Sequence, residues 1–187
     1  MQELSHTDFI NLIEAEVEKQ LKEVVLVFQN LPEDLLLQPA AEGGWSIVEC
    51  FAHLNTYAEF YLPRIEKTLD QATPLDESSI FKHSFLGRYF INMMDPNRGK
   101  RKYKALKRHQ PVGVDNPHET VSMFIQYLEN MLAVINKARE KNLLKKYVVT
   151  SVSPWIKLNA GDAILFMLTH NKRHIQQARR NLEIQIK

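Results

Sequence analysis

Cysteine, glycine and proline are scarce in this chain of 187 residues, and each scarcity excludes a class of structure. The single cysteine, Cys50, rules out an internal disulfide framework and is compatible with a reducing compartment. Six glycines and eight prolines provide few turns, which favours a few long helices over a sandwich of many short strands. The length suits one hydrophobic core, so we expect a single domain over residues 1–187.

Long apolar runs and a strong excess of one charge are also missing. No run reaches the roughly 18 apolar residues that a membrane-spanning helix needs. Residues 1–30 mix charged and apolar side chains, unlike a signal peptide, so we expect a soluble, cytoplasmic protein without a membrane partner. The formal net charge is only +2, and composition therefore gives no reason to expect a nucleic-acid partner.

Apolar side chains at three- and four-residue steps predict helices in the first part of the chain. The first helix runs from about residue 6 to Asn30, where Leu31 and Pro32 end it. The second helix begins after Ser46, because Ser46 and Glu49 have the spacing of a capping box, in which each side chain binds a free backbone NH.

Beyond the second helix, the sequence predicts three further helices and one short extended segment. A short helix is expected around residues 79–94, and a long one from Asn116 to about Asn142. Residues 147–150 are apolar and β-branched enough for a short extended segment. The last helix follows the capping residues Asn159 and Asp162.

A basic stretch, Arg98 to His109, lies in the irregular middle of the chain. Its bases are Arg98, Lys100, Arg101, Lys102, Lys104, Lys107 and Arg108. They could meet an anionic substrate or a membrane surface, although a solvated loop is the commoner explanation of such a run.

The last helix carries two histidines in its apolar stripe. Counting in sevens from Ala160 places these residues on one side: Ala163, Met167, His170, His174 and Gln177. Two buried imidazoles one turn apart are unfavourable unless something satisfies their nitrogens, and a shared cation does so. Histidines four apart also occur by chance, where they are usually solvated or bonded to a neighbour.

A third histidine, His53, falls on the second long helix beside its apolar stripe. Three neutral imidazoles with one open position resemble the ligand set of catalytic zinc rather than of a closed structural site. Taken alone, His53 would more often be a partly buried structural histidine. The other four histidines fall at helix starts or in the irregular middle, where solvation is the default expectation: His6, His83, His109 and His118.

Three more side chains lie close to these histidines in the sequence. Glu49 precedes His53 by one turn and could carry a proton, although its capping role already explains it. Gln177 could orient His174 or a bound water, or be a polar residue at the end of the helical core. Cys50 could give a soft fourth ligand, but a buried core thiol is the commoner case.

Two motifs resemble the DinB-like (YfiT-like) superfamily of metal-dependent enzymes. The first is Gly44-Trp45-Ser46 with Glu49 and His53-Leu54, and the second is His170, Arg173-His174 and Gln177. The resemblance spans nearly the whole chain. It implies an up-and-down four-helix bundle with a long crossover between helices 2 and 3, and a homodimer. It also implies one zinc- or nickel-type divalent ion bound by His53, His170 and His174.

The resemblance implies hydrolases or S-transferases and isomerases that use a low-molecular-weight thiol as co-substrate. We therefore predict a metal-dependent enzyme for a small-molecule substrate. The alternative is a non-catalytic binding or interaction module with a structural or vestigial metal. A small-molecule cavity beside an open site would favour the enzyme, and a fourth protein ligand would favour the module. Lys172 and Arg173 place two bases beside the site and are expected to face solvent.

Overall fold

The computed structural model describes residues 3–41, 43–76, 80–98, 103–111 and 113–186. Most of these residues are helical, in agreement with the predicted all-α class. In chain order the elements are β1 (Leu4–Ser5), α1 (His6–Val27), α2 (Glu33–Leu37), α3 (Ile47–Asp70), β2 (Ile80–Phe81), α4 (Phe85–Met94), a 3₁₀ turn (Lys107–His109), α5 (Pro117–Ala138), β3 (Tyr147–Val149), β4 (Lys157–Asn159) and α6 (Ala160–Gln185).

The long helices begin at polar caps that the sequence predicts. The N-cap residues of α1, α3, α5 and α6 are Ser5, Ser46, Asn116 and Asn159. At α3 the capping box is reciprocal, since the Glu49 NH donates to Ser46 Oγ (3.2 Å) and the Ser46 NH donates to Glu49 Oε2 (2.7 Å). Such a cap stabilises a helix by about 1 kcal/mol. The caps therefore set the first residue of α3 and of α6, the two helices that carry the histidine motifs.

The four long helices surround one apolar core. Helix α3 packs against α5 and α6, and α1 packs against the same two helices. Fully buried aromatic side chains fill the space between them, including Phe9, Phe28, Phe51 and Phe124. Among the described residues, none of the helices is both long enough and apolar enough to cross a bilayer.

A buried carboxylate fastens the connection between α3 and α5 to the start of α6. Asp162 is fully buried and accepts hydrogen bonds from His83 Nδ1 (2.7 Å), the Ser84 NH (2.9 Å), Ser84 Oγ (2.7 Å) and Asn159 Nδ2 (2.8 Å). Gly87 lies so near that a Cβ there would be 2.1 Å from Asp162 Cγ. Only glycine therefore permits α4 to approach α6 at this point.

Asp162 also explains why the predicted helix over residues 79–94 is shorter in the structure. Helix α4 begins at Phe85, because Ser84 is its N-cap and is itself held by Asp162. The preceding Ile80 and Phe81 pair with β1 as a strand instead of continuing the helix. Ser79 lies outside the described residues.

Two other helix ends differ from prediction. Helix α1 ends at Val27, a few residues before the predicted Asn30. Helix α5 ends at Ala138 rather than near Asn142, since the Asn142 NH donates to the carbonyl of Thr73 (2.9 Å) and draws the chain away from the helix axis. The extended segment expected from residue 147 is confirmed as β3, but its pairing with β4 was not predicted.

Candidate metal centre

Three histidine side chains meet between α3 and α6. His53 projects from α3, whereas His170 and His174 project from successive turns of α6. Their relative exposures are only 2%, 3% and 9%. One ring nitrogen of each lies within 4.8 Å of those of the other two, an arrangement that could hold a metal ion. Within the described ranges no further cysteine, aspartate, glutamate or histidine joins this group.

Hydrogen bonds fix the tautomers of two of these rings. His53 Nδ1 faces the carbonyl oxygen of His109 at 2.5 Å, and a carbonyl can only accept, so Nδ1 carries the proton. His174 Nδ1 likewise donates to Gln177 Oε1 at 3.1 Å. The Nε2 atoms of both rings therefore present bare lone pairs. His170 Nδ1, in contrast, has no hydrogen-bond partner among the described residues.

Burial keeps the three rings neutral at physiological pH. It lowers the pKa of His53 to about 4 and that of His174 to about 3. The pKa of His170 falls well below its ordinary value, again mainly through burial, with further contributions from His174 and His53. Neutral imidazoles are the form that binds metals, so protons do not compete for these nitrogens near pH 7.

The donor set fits one divalent ion. His53 Nε2 and His170 Nε2 lie 3.2 Å apart. Two nitrogens bound to one tetrahedral zinc at roughly 2.0–2.1 Å are about 3.3 Å apart, which is close to this separation. Without a cation, the one NH that His170 can direct into the group serves only one of the two bare Nε2 atoms. A shared cation would instead bind the Nε2 atoms of all three rings, and burying bare nitrogens without a partner costs free energy.

Two aromatic side chains form the walls of the centre. The Trp45 ring lies 4.6 Å from the His53 ring and 5.7 Å from the His174 ring, measured between centroids. The Tyr57 ring lies 4.1 Å from that of His170, and burial raises the pKa of Tyr57 to about 12, so its hydroxyl stays protonated. The centre is thus shielded from bulk water on both of these sides.

Trp45 also lines a cavity of about 350 Å³. Its lining residues are Trp45, Glu49, Tyr103, Lys104, Ala105, Gln110 and Pro111. This volume is at the lower end of the range typical of small-molecule sites, about 300–1,000 Å³. Trp45 connects the two regions, since it lines the cavity and packs against the His53 and His174 rings, whereas none of the three histidines is a lining residue.

The three further candidate residues near the histidines lie in three different surroundings. Glu49 completes the capping box, as its spacing predicts, and also lines the cavity. Gln177 contacts a ring of the centre directly, through its hydrogen bond with His174. Cys50 is fully buried in the apolar core and stands outside the histidine group, as a core thiol would. Burial raises the pKa of the Cys50 thiol, which therefore stays protonated.

Lys172 and Arg173, which were expected to face solvent, are both partly exposed. The Arg173 guanidinium lies 5.8 Å from the centroid of the Tyr103 ring, which lines the cavity. Arg173 and Arg180 also add to the lowering of the His174 pKa, after the larger effects of burial and of His53. Positive potential therefore reaches the centre from α6.

His109 is the residue of this region that the sequence missed. It was expected to be solvated, yet it is 2% exposed and its carbonyl oxygen binds His53. Its own Nδ1 lies 3.0 Å from Thr56 Oγ1, and burial lowers its pKa to about 4. The local sequence feature that could have indicated a buried partner for His53 was on α3, where Thr56 and Tyr57 follow His53. Nothing in residues 71–116 shows by periodicity which side chain would meet them.

Two other histidines are also less solvated than expected. His6 is 6% exposed, and its Nε2 donates to the carbonyl of Ala138 at 3.2 Å. His83 binds the buried carboxylate of Asp162. Both serve the packing of the fold, and neither joins the three clustered histidines. His118 is half-buried, with Nδ1 3.3 Å from the carbonyl of Gln29.

The basic stretch Arg98 to His109 is described only in part. Lys100, Arg101 and Lys102 lie outside the described residues. The other four bases of the stretch are exposed: Arg98, Lys104, Lys107 and Arg108. Lys104 lines the cavity, whereas a role of the stretch in binding an anionic partner stays a prediction.

Fold and site together define a mostly helical protein with a buried three-histidine group suited to a metal ion. The chain belongs to the DinB superfamily, since the model of that family matches residues 16–178, a range that contains all three histidines. The resemblance of the two sequence motifs to this superfamily is thereby confirmed. A comparison with curated proteins finds no match, and a comparison with solved structures finds none.

Proposed function

We propose that this protein is a metal-dependent enzyme that binds one divalent ion, zinc or nickel, through His53, His170 and His174. The observation that carries the proposal is the 3.2 Å separation of His53 Nε2 and His170 Nε2 in a buried group of neutral imidazoles. When bound there, a divalent ion would supply a Lewis acid, which lowers the pKa of a water or thiol and so makes it a better nucleophile. The reaction class is hydrolysis or S-transfer from a low-molecular-weight thiol.

The cavity supports an enzyme rather than a purely structural metal site. Its volume of about 350 Å³ admits a small molecule against Trp45, a side chain that also packs against His53 and His174. A fourth protein ligand would close the coordination sphere, but Cys50, the candidate for it, lies in the apolar core. Three protein ligands with an adjoining cavity are the arrangement of catalytic rather than structural sites.

Two side chains of the proposed site act beside the ligands. Gln177 holds the Nδ1–H of His174 and so keeps its Nε2 bare and oriented. Glu49 is held at the cavity by its bond from the Ser46 NH, which leaves its carboxylate available to accept a proton or to orient a substrate. The exclusion of water by Trp45 and Tyr57 strengthens both electrostatic effects.

We also infer that the four long helices form an up-and-down four-helix bundle. The packing of both α1 and α3 against α5 and α6 supports this arrangement. The 71–116 connection, which carries α4, would then be its long crossover. The same family resemblance suggests that two copies of the bundle form a homodimer.

Metal content of protein purified without an affinity tag or added metal tests the metal site. Near-stoichiometric metal is expected in the wild type and should be lost in His53→Ala, His170→Ala and His174→Ala. The control is His6→Ala, which removes a buried histidine outside the cluster and should keep the metal. Circular dichroism shows whether each variant retains its helices. A wild type that cannot be loaded with metal would refute the proposal.

Catalysis is then tested on the metal-loaded protein with panels of thiol-transfer and hydrolysis substrates. Glu49→Gln keeps the capping box, since glutamine serves at this position as well, but removes the charge at the cavity. We expect Glu49→Gln to bind metal normally and to lose activity about 10²-fold or more. Metal binding without activity on any panel would favour the non-catalytic module.

A further inference from the structure

The segment 103–111 belongs to the cavity and to the histidine group at once. It supplies five of the cavity's lining residues: Tyr103, Lys104, Ala105, Gln110 and Pro111. It also carries His109, whose carbonyl accepts the Nδ1–H of His53. Whatever holds His109 in place therefore sets both the orientation of His53 and the position of the cavity wall.

The imidazole of His109 is anchored on α3 through Thr56. Thr56 Oγ1 donates its single proton to the carbonyl of His53 at 2.8 Å. Towards His109 it can then only accept, so His109 Nδ1 is the donor in their 3.0 Å contact. The face of the His109 ring also packs against Tyr57, with centroids 4.0 Å apart.

The stability of the fold alone does not explain an imidazole at this position. With its proton on Nδ1, His109 keeps a bare Nε2 that is buried and has no partner among the described residues. Burying an unsatisfied polar atom costs free energy, and an apolar side chain would avoid that cost. The anchored ring is therefore better explained by what it holds in place.

We propose that His109 is a positioning residue of the histidine centre. Its ring, anchored on Thr56 and Tyr57, holds its own carbonyl where that oxygen fixes His53 as the Nδ1–H tautomer with Nε2 directed at His170. The inference deepens the proposed function and rests on it for the identity of the centre. Such supporting hydrogen bonds to metal-binding histidines typically change metal affinity about 10- to 100-fold when removed.

The chain offers a matched set of variants for the test. His109→Ala removes the anchor but leaves the backbone carbonyl. His109→Asn should rescue it, because the asparagine amide can donate to Thr56 as Nδ1–H does. Thr56→Val removes the acceptor at nearly constant volume and serves if His109→Ala does not fold. His6→Ala is the control, a buried histidine that bonds a backbone carbonyl away from the centre.

The first measurement is the tautomer of His53 in metal-free protein, read from the ¹⁵N shifts of its ring nitrogens. The wild type, His109→Asn and His6→Ala should show one Nδ1–H form, whereas His109→Ala and Thr56→Val should show a mixture of tautomers. The second is zinc affinity by competition with a chromophoric chelator. We expect about a tenfold loss in His109→Ala and Thr56→Val, and wild-type affinity in the other two.

The outcomes separate this proposal from the proposed function. If His109→Ala and Thr56→Val keep a single Nδ1–H tautomer and bind zinc as the wild type does, the positioning role is overturned while the metal centre stands. If the wild type binds no zinc but its His53 tautomer still depends on His109, the metal-dependent function fails and the positioning of His53 stands. Equal effects from His6→Ala would also overturn the positioning role of His109, since a nonspecific loss of packing would then explain the results.

Discussion

Acid should destabilise the metal-free protein through His53, and the direction follows from its burial. In the unfolded chain its pKa has the ordinary value of 6.5, whereas burial lowers the folded-state pKa to about 4. The unfolded state therefore binds a proton first as the pH falls. The stability that neutral His53 preserves is fully present above pH 6.5 and is lost progressively between pH 6.5 and 4.

The pKa difference sets the magnitude of this loss. Each unit of pKa shift corresponds to about 1.4 kcal/mol, so the shift of His53 is worth about 3 kcal/mol once the pH has fallen below both values. At pH 4.5 the folded state has begun to bind the proton as well, which leaves a loss of about 2–3 kcal/mol. No discount for solvent screening is needed, because His53 is 2% exposed.

Urea unfolding of wild type and His53→Asn, in the presence of a chelator, isolates this effect. The asparagine amide can still donate to the carbonyl of His109 but does not titrate. Between pH 7.5 and 4.5 the wild type should lose about 2–3 kcal/mol more of its free energy of unfolding than the variant does. Equal losses in the two proteins would refute the burial of a neutral His53. A smaller loss in the wild type would mean that folding raises the His53 pKa instead of lowering it.

Three further predictions concern single side chains. Gly87→Ala should lower the free energy of unfolding, measured by urea titration, by about 1–3 kcal/mol, because its Cβ would overlap a buried carboxylate. Its control, Gly113→Ala, should be nearly neutral, since a Cβ there meets nothing within 4 Å. Gln177→Leu should weaken zinc binding about tenfold by freeing the His174 ring, and unchanged affinity in a competition assay would contradict that role. Cys50 should react with a thiol reagent only when urea unfolds the protein, since burial raises its pKa; rapid labelling of the native protein would show that the thiol is accessible.

The parts of this structure that the sequence predicted depend on local chemistry. The Ser46–Glu49 capping box and the Asn159 cap involve residues three apart, so their hydrogen bonds are fixed by the start of one helix. The pairing of His170 with His174 follows from helical periodicity in the same way. The meeting of His53 with this pair spans 117 positions, and it was reached through burial and family resemblance rather than spacing.

The features that escaped prediction are contacts between distant parts of an irregular connection. Asp162 gathers donors from His83 and Ser84, which lie 79 and 78 positions earlier in the chain. His109 reaches α3 across 53 positions to Thr56. Neither contact leaves a periodic pattern, because the partners lie on short turns whose course is set only when the helices have packed. Histidines in such turns therefore looked solvated.

The placement of Trp45 gives the molecule a built-in optical reporter. The chain has two tryptophans, of which Trp45 is half-buried and Trp155 is exposed. Trp155 is 91% exposed, so its fluorescence is that of an indole in water, while Trp45 packs against two histidines of the centre and also lines the cavity. In a Trp155→Phe protein, Trp45 would be the sole indole emitter. Its emission would then register events at the metal centre and in the cavity without any added label.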